Sequence, residues 1–139
     1  MTTERLGPVE LAVLAFPAER VAPSVVDALR AVVGHGAATI IDLIYLARTA
    51  DGDIVQLEVD EPLQDVGLDG LSVDPRGLVS DADLDIVRDT LEPGTCAVVV
   101  VFEQTWARRL GATVSAAGGE LALHVQIPRD AVDAALAAS

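Results

Sequence analysis

The densest group of chemistry-bearing side chains is Glu103-Gln104-Thr105-Trp106-Ala107-Arg108-Arg109. It offers a carboxylate, an amide, a hydroxyl, the chain's single tryptophan and two guanidinium groups within seven residues. It falls where a strongly apolar strand hands over to a helix. Ligands of α/β sheets gather at the carboxyl ends of strands, and the free amides of a helix start can hold an anion. The structural reading of the same residues is that Thr105 caps the helix, Trp106 packs, and Arg108 and Arg109 solvate the surface. Two more carboxylates, Glu10 and Asp42, interrupt otherwise apolar strands. If buried together they would have raised pKa values and could share acid and base roles. Arg20 or Arg48 could instead pair with them, or each could be hydrogen-bonded near a strand end. The ligand-binding candidates are therefore Glu103, Thr105, Trp106, Arg20, Asp42 and Glu10, and no residue is assigned a catalytic role.

Other chemistries find less support. Cys96 lies inside an apolar run with no adjacent base, so it reads as a small buried hydrophobe rather than a nucleophile. A lone cysteine cannot form an internal disulfide. His35 and His124 are far apart, whereas zinc sites use three or four ligands in closely spaced pairs. Asp81-x-Asp83-x-Asp85 brushes against a calcium loop, but Ile86 stands where that loop needs glycine. No GxGxxG, P-loop, GxSxG or HExxH motif is present. No cofactor and no metal are expected.

The 139 residues carry 22 acidic and 9 basic side chains, a net charge of −13, and every cation is an arginine. That field repels polyanions, which argues against nucleic acid and against anionic membrane surfaces. The first six residues have no apolar core of a signal peptide, and the run Cys96 to Phe102 is too short to span a bilayer. The expected location is the cytoplasm. The mixture of Ala, Val, Asp, Glu and Arg without Lys suggests a GC-rich bacterial genome.

The elements that must position these side chains follow from period and punctuation. Hydrophobic residues make up 51% of the chain but aromatics only 3%, so the core is built of Val, Leu, Ile and Ala, which suits sheets. Val9 to Phe16 reads as a strand apolar on both faces, ended by Pro17. Pro23 to Val33 reads as a helix with Pro23 at its first position. Thr39 to Arg48 is a second two-sided apolar strand. An Asp51-Gly52 turn leads to a third strand, Ile54 to Val59, with clean alternation. Residues 60–79 form a Gly- and Asp-rich connection suited to a functional loop or an ordinary excursion. Ser80 caps a helix that Pro93-Gly94 ends. Thr95 to Phe102 is a central strand, Thr105 to Ala117 a helix, Leu121 to Ile127 an alternating fifth strand, and Arg129 to Ala138 a last helix.

The chain thus reads as a single α/β domain over residues 1–139. Its first six elements follow the β-α-β-β-α-β order of the ferredoxin-like two-layer sandwich, extended by a C-terminal α-β-α. The alternative is a three-layer mixed sheet with helices on both faces and the first, second and fourth strands central. The two-layer form would leave an apolar sheet face open, which calls for a partner copy or extra elements to cover it.

Three stretches together, Gly7-Pro8-Val9-Glu10, Ile40-Ile41-Asp42-Leu43 with Asp51-Gly52, and Glu103-x-Thr105-Trp106-Ala107 followed by Gly118-Gly119, resemble an uncharacterised family of small bacterial proteins, a domain of unknown function from GC-rich genomes. The resemblance covers nearly the whole chain. It implies no activity, substrate or cofactor, and it draws attention to Glu10, Asp42, Glu103 and Trp106.

The functional expectation is a non-enzymatic, self-associating domain, a dimer acting through protein contacts, with a heterologous protein partner as a further form of the same idea. The alternative is a small-ligand binding protein or enzyme with its site at the C-terminal end of the fourth strand.

Overall fold

A computed structural model describes residues 6–58, 63–68, 71, 73, 77–120, 122 and 125–138. The chain groups into two compact units, residues 1–108 and 109–139. The first unit holds β1 (Val9–Phe16), α1 (Pro23–Gly34), β2 (Thr39–Arg48), β3 (Ile54–Leu57), a 3-10 turn (Leu63–Val66), α2 (Asp81–Thr90) and β4 (Thr95–Glu103). Helix α3 (Thr105–Ala116) begins in it, and α4 (Arg129–Ala138) belongs to the second unit.

The sheet has four strands in the order β1-β4-β2-β3, and every neighbouring pair is antiparallel. Two expectations are corrected here. The sequential order β-α-β-β-α-β is present, but it is not folded into a two-layer sandwich with one open face. Helix α1, through Val25, Val26 and Val33, packs with Ile40, Leu43, Tyr45, Cys96, Val98 and Val100 on one face. Helix α2, through Leu84 and Val87, packs with Ile44, Leu46, Ala97 and Val99 on the other. Helices therefore lie on both faces, as in the three-layer alternative, but the sheet is antiparallel rather than mixed.

The second correction concerns which strands are central. Residues of β2 and β4 are buried along nearly their whole length, which is what two-sided apolarity predicts. β1 has the same pattern but lies at the edge of the sheet formed by the described residues. Its even residues pair with β4 residues of the α1 face, and its odd residues Val9, Leu11 and Val13 are exposed on the α2 face. Periodicity reports that both faces are apolar and carries no information on what covers them.

Local signals worked where they are chemical. Pro23 starts α1. Ser80 Oγ accepts from the Asp83 amide at 3.1 Å and caps α2. Gly52, at φ +93°, closes the β2–β3 turn. Val59 and much of the 60–79 connection lie outside the described residues, as do Leu121, Leu123 and His124 of the expected fifth strand. Its described members, Ala122 and residues 125–127, are not in a strand. Among the described residues no helix is long and apolar enough to cross a membrane.

Candidate functional site

β4 ends on Glu103, a residue only 1% exposed. Its neighbours across the sheet are Val9 on β1 and Thr39 on β2. A carboxylate so deep in a sheet needs its charge met by donors, and the flanking segments provide them. The Gly7 amide donates to Oε2 at 2.9 Å, and so does Nε of Arg108 at 2.9 Å from the first turn of α3. Thr105 Oγ1 donates to Oε1 at 3.1 Å. Thr39 Oγ1 stands 2.6 Å from Thr105 Oγ1. Because the Thr105 hydroxyl spends its one proton on Glu103, Thr39 donates to Thr105.

Burial by itself would raise the pKa of Glu103. The Gly7 amide, Arg108 and Thr105 together outweigh that effect and hold it below its ordinary value of 4.5. The group is thus a stable anion at neutral pH with its acceptors engaged by its own chain. Chemically it acts as a latch, tying the segment before β1 and the first turn of α3 to the end of the central strand. Two backbone bonds reinforce it: Gln104 donates to the Pro8 carbonyl at 2.7 Å, and Trp106 to the Ala37 carbonyl at 3.1 Å. Gly7 is required by close approach, since a Cβ there would meet Arg108 Cβ at 2.9 Å and the Gln104 carbonyl at 3.0 Å.

The predicted candidates divide around this latch. Glu103 and Thr105 belong to it. Thr105 is the first residue of α3 rather than its cap, because the Gln104 carbonyl already accepts the first helical bonds, from the Ala107 and Arg108 amides. Trp106 is 45% exposed, and its indole Nε1 donates to Gln104 Oε1 at 3.1 Å. Asp42 shares the sheet face of Glu103 but sits opposite Val101, at a β-bulge between Ile40 and Asp42. Its Oδ1 accepts from the Leu43 amide at 2.9 Å, so it serves the bulge. Glu10 pairs with Phe102 on the opposite face. Glu10, Asp42 and Glu103 therefore do not converge on one cavity.

The arginines are placed differently from expectation. Arg20 Nη1 donates to the Asp65 carbonyl at 2.8 Å, beside the 3-10 turn. Arg48 donates through Nε to the Leu91 carbonyl at 2.8 Å, through Nη1 to Gly52 at 3.0 Å and through Nη2 to Arg88 at 3.2 Å. It thereby clamps the end of α2 to the β2–β3 turn. Cys96 is fully buried, and burial pushes its thiol up to about 11. Among the described residues no buried side-chain nitrogen or oxygen lacks a hydrogen-bond partner.

Sequence reading missed Gly7 and Arg108 as partners of Glu103, and Thr39 as the partner of Thr105. The available signal was that Gly7-Pro8 and Glu103-x-Thr105 both stood out as short motifs, and they meet in space. One exposed apolar feature of this unit is β1, an eight-residue strand at the edge of the described sheet with Val9, Leu11 and Val13 41–45% exposed.

A search of curated proteins and a search of solved structures each returned no match. A family of unknown function, DUF6325, matches residues 5–139. With nearly its whole length matched, from the segment that carries Gly7 to beyond α4, the chain belongs to that family of unknown function.

Proposed function

We propose that this chain is a non-enzymatic, self-associating protein-interaction domain that works through β1. The observation that carries the reading is a strand that lies at the sheet edge among the described residues, with three large aliphatic side chains turned to solvent. Edge strands present unpaired N–H and C=O groups, and proteins ordinarily blunt them with charges, prolines, bulges or short length. β3, at the other edge, is four residues long and carries Gln56, with Glu58 following. β1 is twice as long, unbulged against β4, and has Glu10 as its one charge. Such an edge gains both hydrogen bonds and apolar burial when another strand lies against it.

Size-exclusion chromatography with light scattering on the wild-type chain is the test. A mass of twice 14.4 kDa at micromolar concentration supports the reading. Leu11→Arg, at an exposed position, should return the chain to the monomer with its fold intact. A wild-type monomer throughout that range overturns self-association.

A further inference from the structure

The sheet face that α1 covers also carries two irregular segments, residues 19–21 and 63–68. They are bonded to each other. The Val21 amide donates to the Val66 carbonyl at 3.0 Å, and Arg20 Nη1 to the Asp65 carbonyl at 2.8 Å. Their backbones touch at Gly67, where a Cβ would stand 2.6 Å from the Val21 carbonyl oxygen. Val21, Leu63 and Leu68 are buried in one core cluster with Tyr45 and Cys96. Tyr45 pairs with Val98 and Ala47 with Cys96, so Tyr45 and Cys96 are diagonal neighbours on that face. Tyr45 also donates its hydroxyl to the Glu19 carbonyl. Glu19 raises the pKa of both side chains, which places it beside the pair.

We infer that residues 19–21 and 63–68 form one lid over the Cys96–Tyr45 pair, and that this lid opens as a unit while β2 and β4 stay paired. The lid draws on no residue of β1 and does not depend on association. Local opening follows the boundaries that few bonds cross. Moving either segment alone breaks the Val21–Val66 and Arg20–Asp65 bonds, whereas moving both together keeps them. The hydrogen bond that must break is the one from Tyr45 to Glu19. β2 and β4, by contrast, are paired from Thr39–Glu103 to Arg48–Thr95. With the lid closed the Cys96 thiol is fully buried and holds its proton up to about 11. With the lid open it meets water as an ordinary thiol. The reactivity of this thiol is then set by a loop contact rather than by the stability of the whole chain.

The experiment is labelling of Cys96, the chain's single cysteine, with dithionitrobenzoate at neutral pH over a urea series below the unfolding transition. The wild-type series needs no substitution. Opening a lid exposes little surface, so the rate should barely change at low urea and rise steeply only where unfolding takes over. Tyr45→Phe removes the hydroxyl and should speed labelling without urea about tenfold. Leu84→Ala, under α2 on the opposite face, lowers the stability of the whole chain and should leave that rate unchanged. A rate that follows the unfolding slope down to zero urea overturns the lid, and so does acceleration by Leu84→Ala to the extent of its lost stability. A Tyr45→Phe chain that labels no faster than wild type also overturns it. Amide exchange tests whether the two segments move together. Compared as opening constants, the Val21 amide should be better protected than the Cys96 thiol, because its bond to Val66 travels with the lid. Equal or lesser protection shows the segments parting and overturns the unit.

Discussion

The Gly7 amide reaches Oε2 of Glu103 at 2.9 Å across 96 positions of sequence. That bond, with the Arg108 ion pair on the same oxygen, fixes where β1 begins and where α3 departs. Truncation by Glu103→Ala leaves a half-buried amide and a half-buried guanidinium without this acceptor. It should cost about 2–4 kcal/mol in urea unfolding. Gly7→Ala should cost a comparable fraction through the clash with Arg108 and Gln104. A Glu103→Ala variant as stable as wild type would show that the latch contributes nothing net.

The same carboxylate sets an acid dependence. Its folded pKa lies below the ordinary 4.5, so the unfolded chain binds its proton at higher pH than the folded chain does. The stabilisation is complete above about pH 5 to 6 and is lost as pH falls through the folded value. Glu103→Gln should therefore lower stability at neutral pH and flatten its decline on acidification. Parallel stability–pH curves for variant and wild type would refute the assignment.

How much of this was legible in sequence depends on the range of the interaction. Pro23, Ser80 and Gly52 act within a few residues, and their roles could be read directly. The two-sided apolarity of β2 and β4 correctly marked them as central. The same pattern in β1 misled, because an apolar face turned to solvent at an edge is written in the same residues as one under a helix. Glu103, Thr105 and Arg108 lie close in sequence and could be suspected together. Thr39 and Gly7 reach them only through strand pairing, which periodicity does not encode. Asp42 is buried, as its place in an apolar strand suggested, but the bulge that engages its carboxylate is a property of register and could not be read.

Arg48 illustrates a role that residue type alone conceals. Its guanidinium donates to three carbonyls, those of Leu91, Gly52 and Arg88, from the end of β2. Arg48→Met keeps the stem and removes the donors. Stability should fall by about 2–3 kcal/mol, and Arg48→Lys should recover less than half, since one ammonium cannot span the planar fork. Chemical denaturation of the three proteins checks the order.

Tyr45, the chain's single tyrosine, donates its hydroxyl to the Glu19 carbonyl. Burial, assisted by Cys96 and Glu19, pushes its pKa from 10.0 to about 12. Phenolate absorbance in the folded protein should appear only near that value, and near 10 in the denatured chain. The folded state holds this proton more tightly, so the associated stability is complete below pH 10 and is lost as pH rises towards 12. A folded protein titrating at its ordinary value would place the ring in water.

The proposed self-association through β1 would have to overcome the charge of the chain. Each copy carries −13, yet β1 itself contributes one carboxylate. Attraction at the edge is then short-ranged and apolar, while repulsion is long-ranged and screened over about 10 Å at 0.1 M salt. Added sodium chloride should therefore tighten the dimer, and most of the change should appear below physiological ionic strength. An edge held by ion pairs would respond in the opposite sense. Sedimentation across a salt series distinguishes the two, and dissociation on adding salt would show that oppositely charged side chains, not the aliphatic face of Leu11 and Val13, hold the copies together.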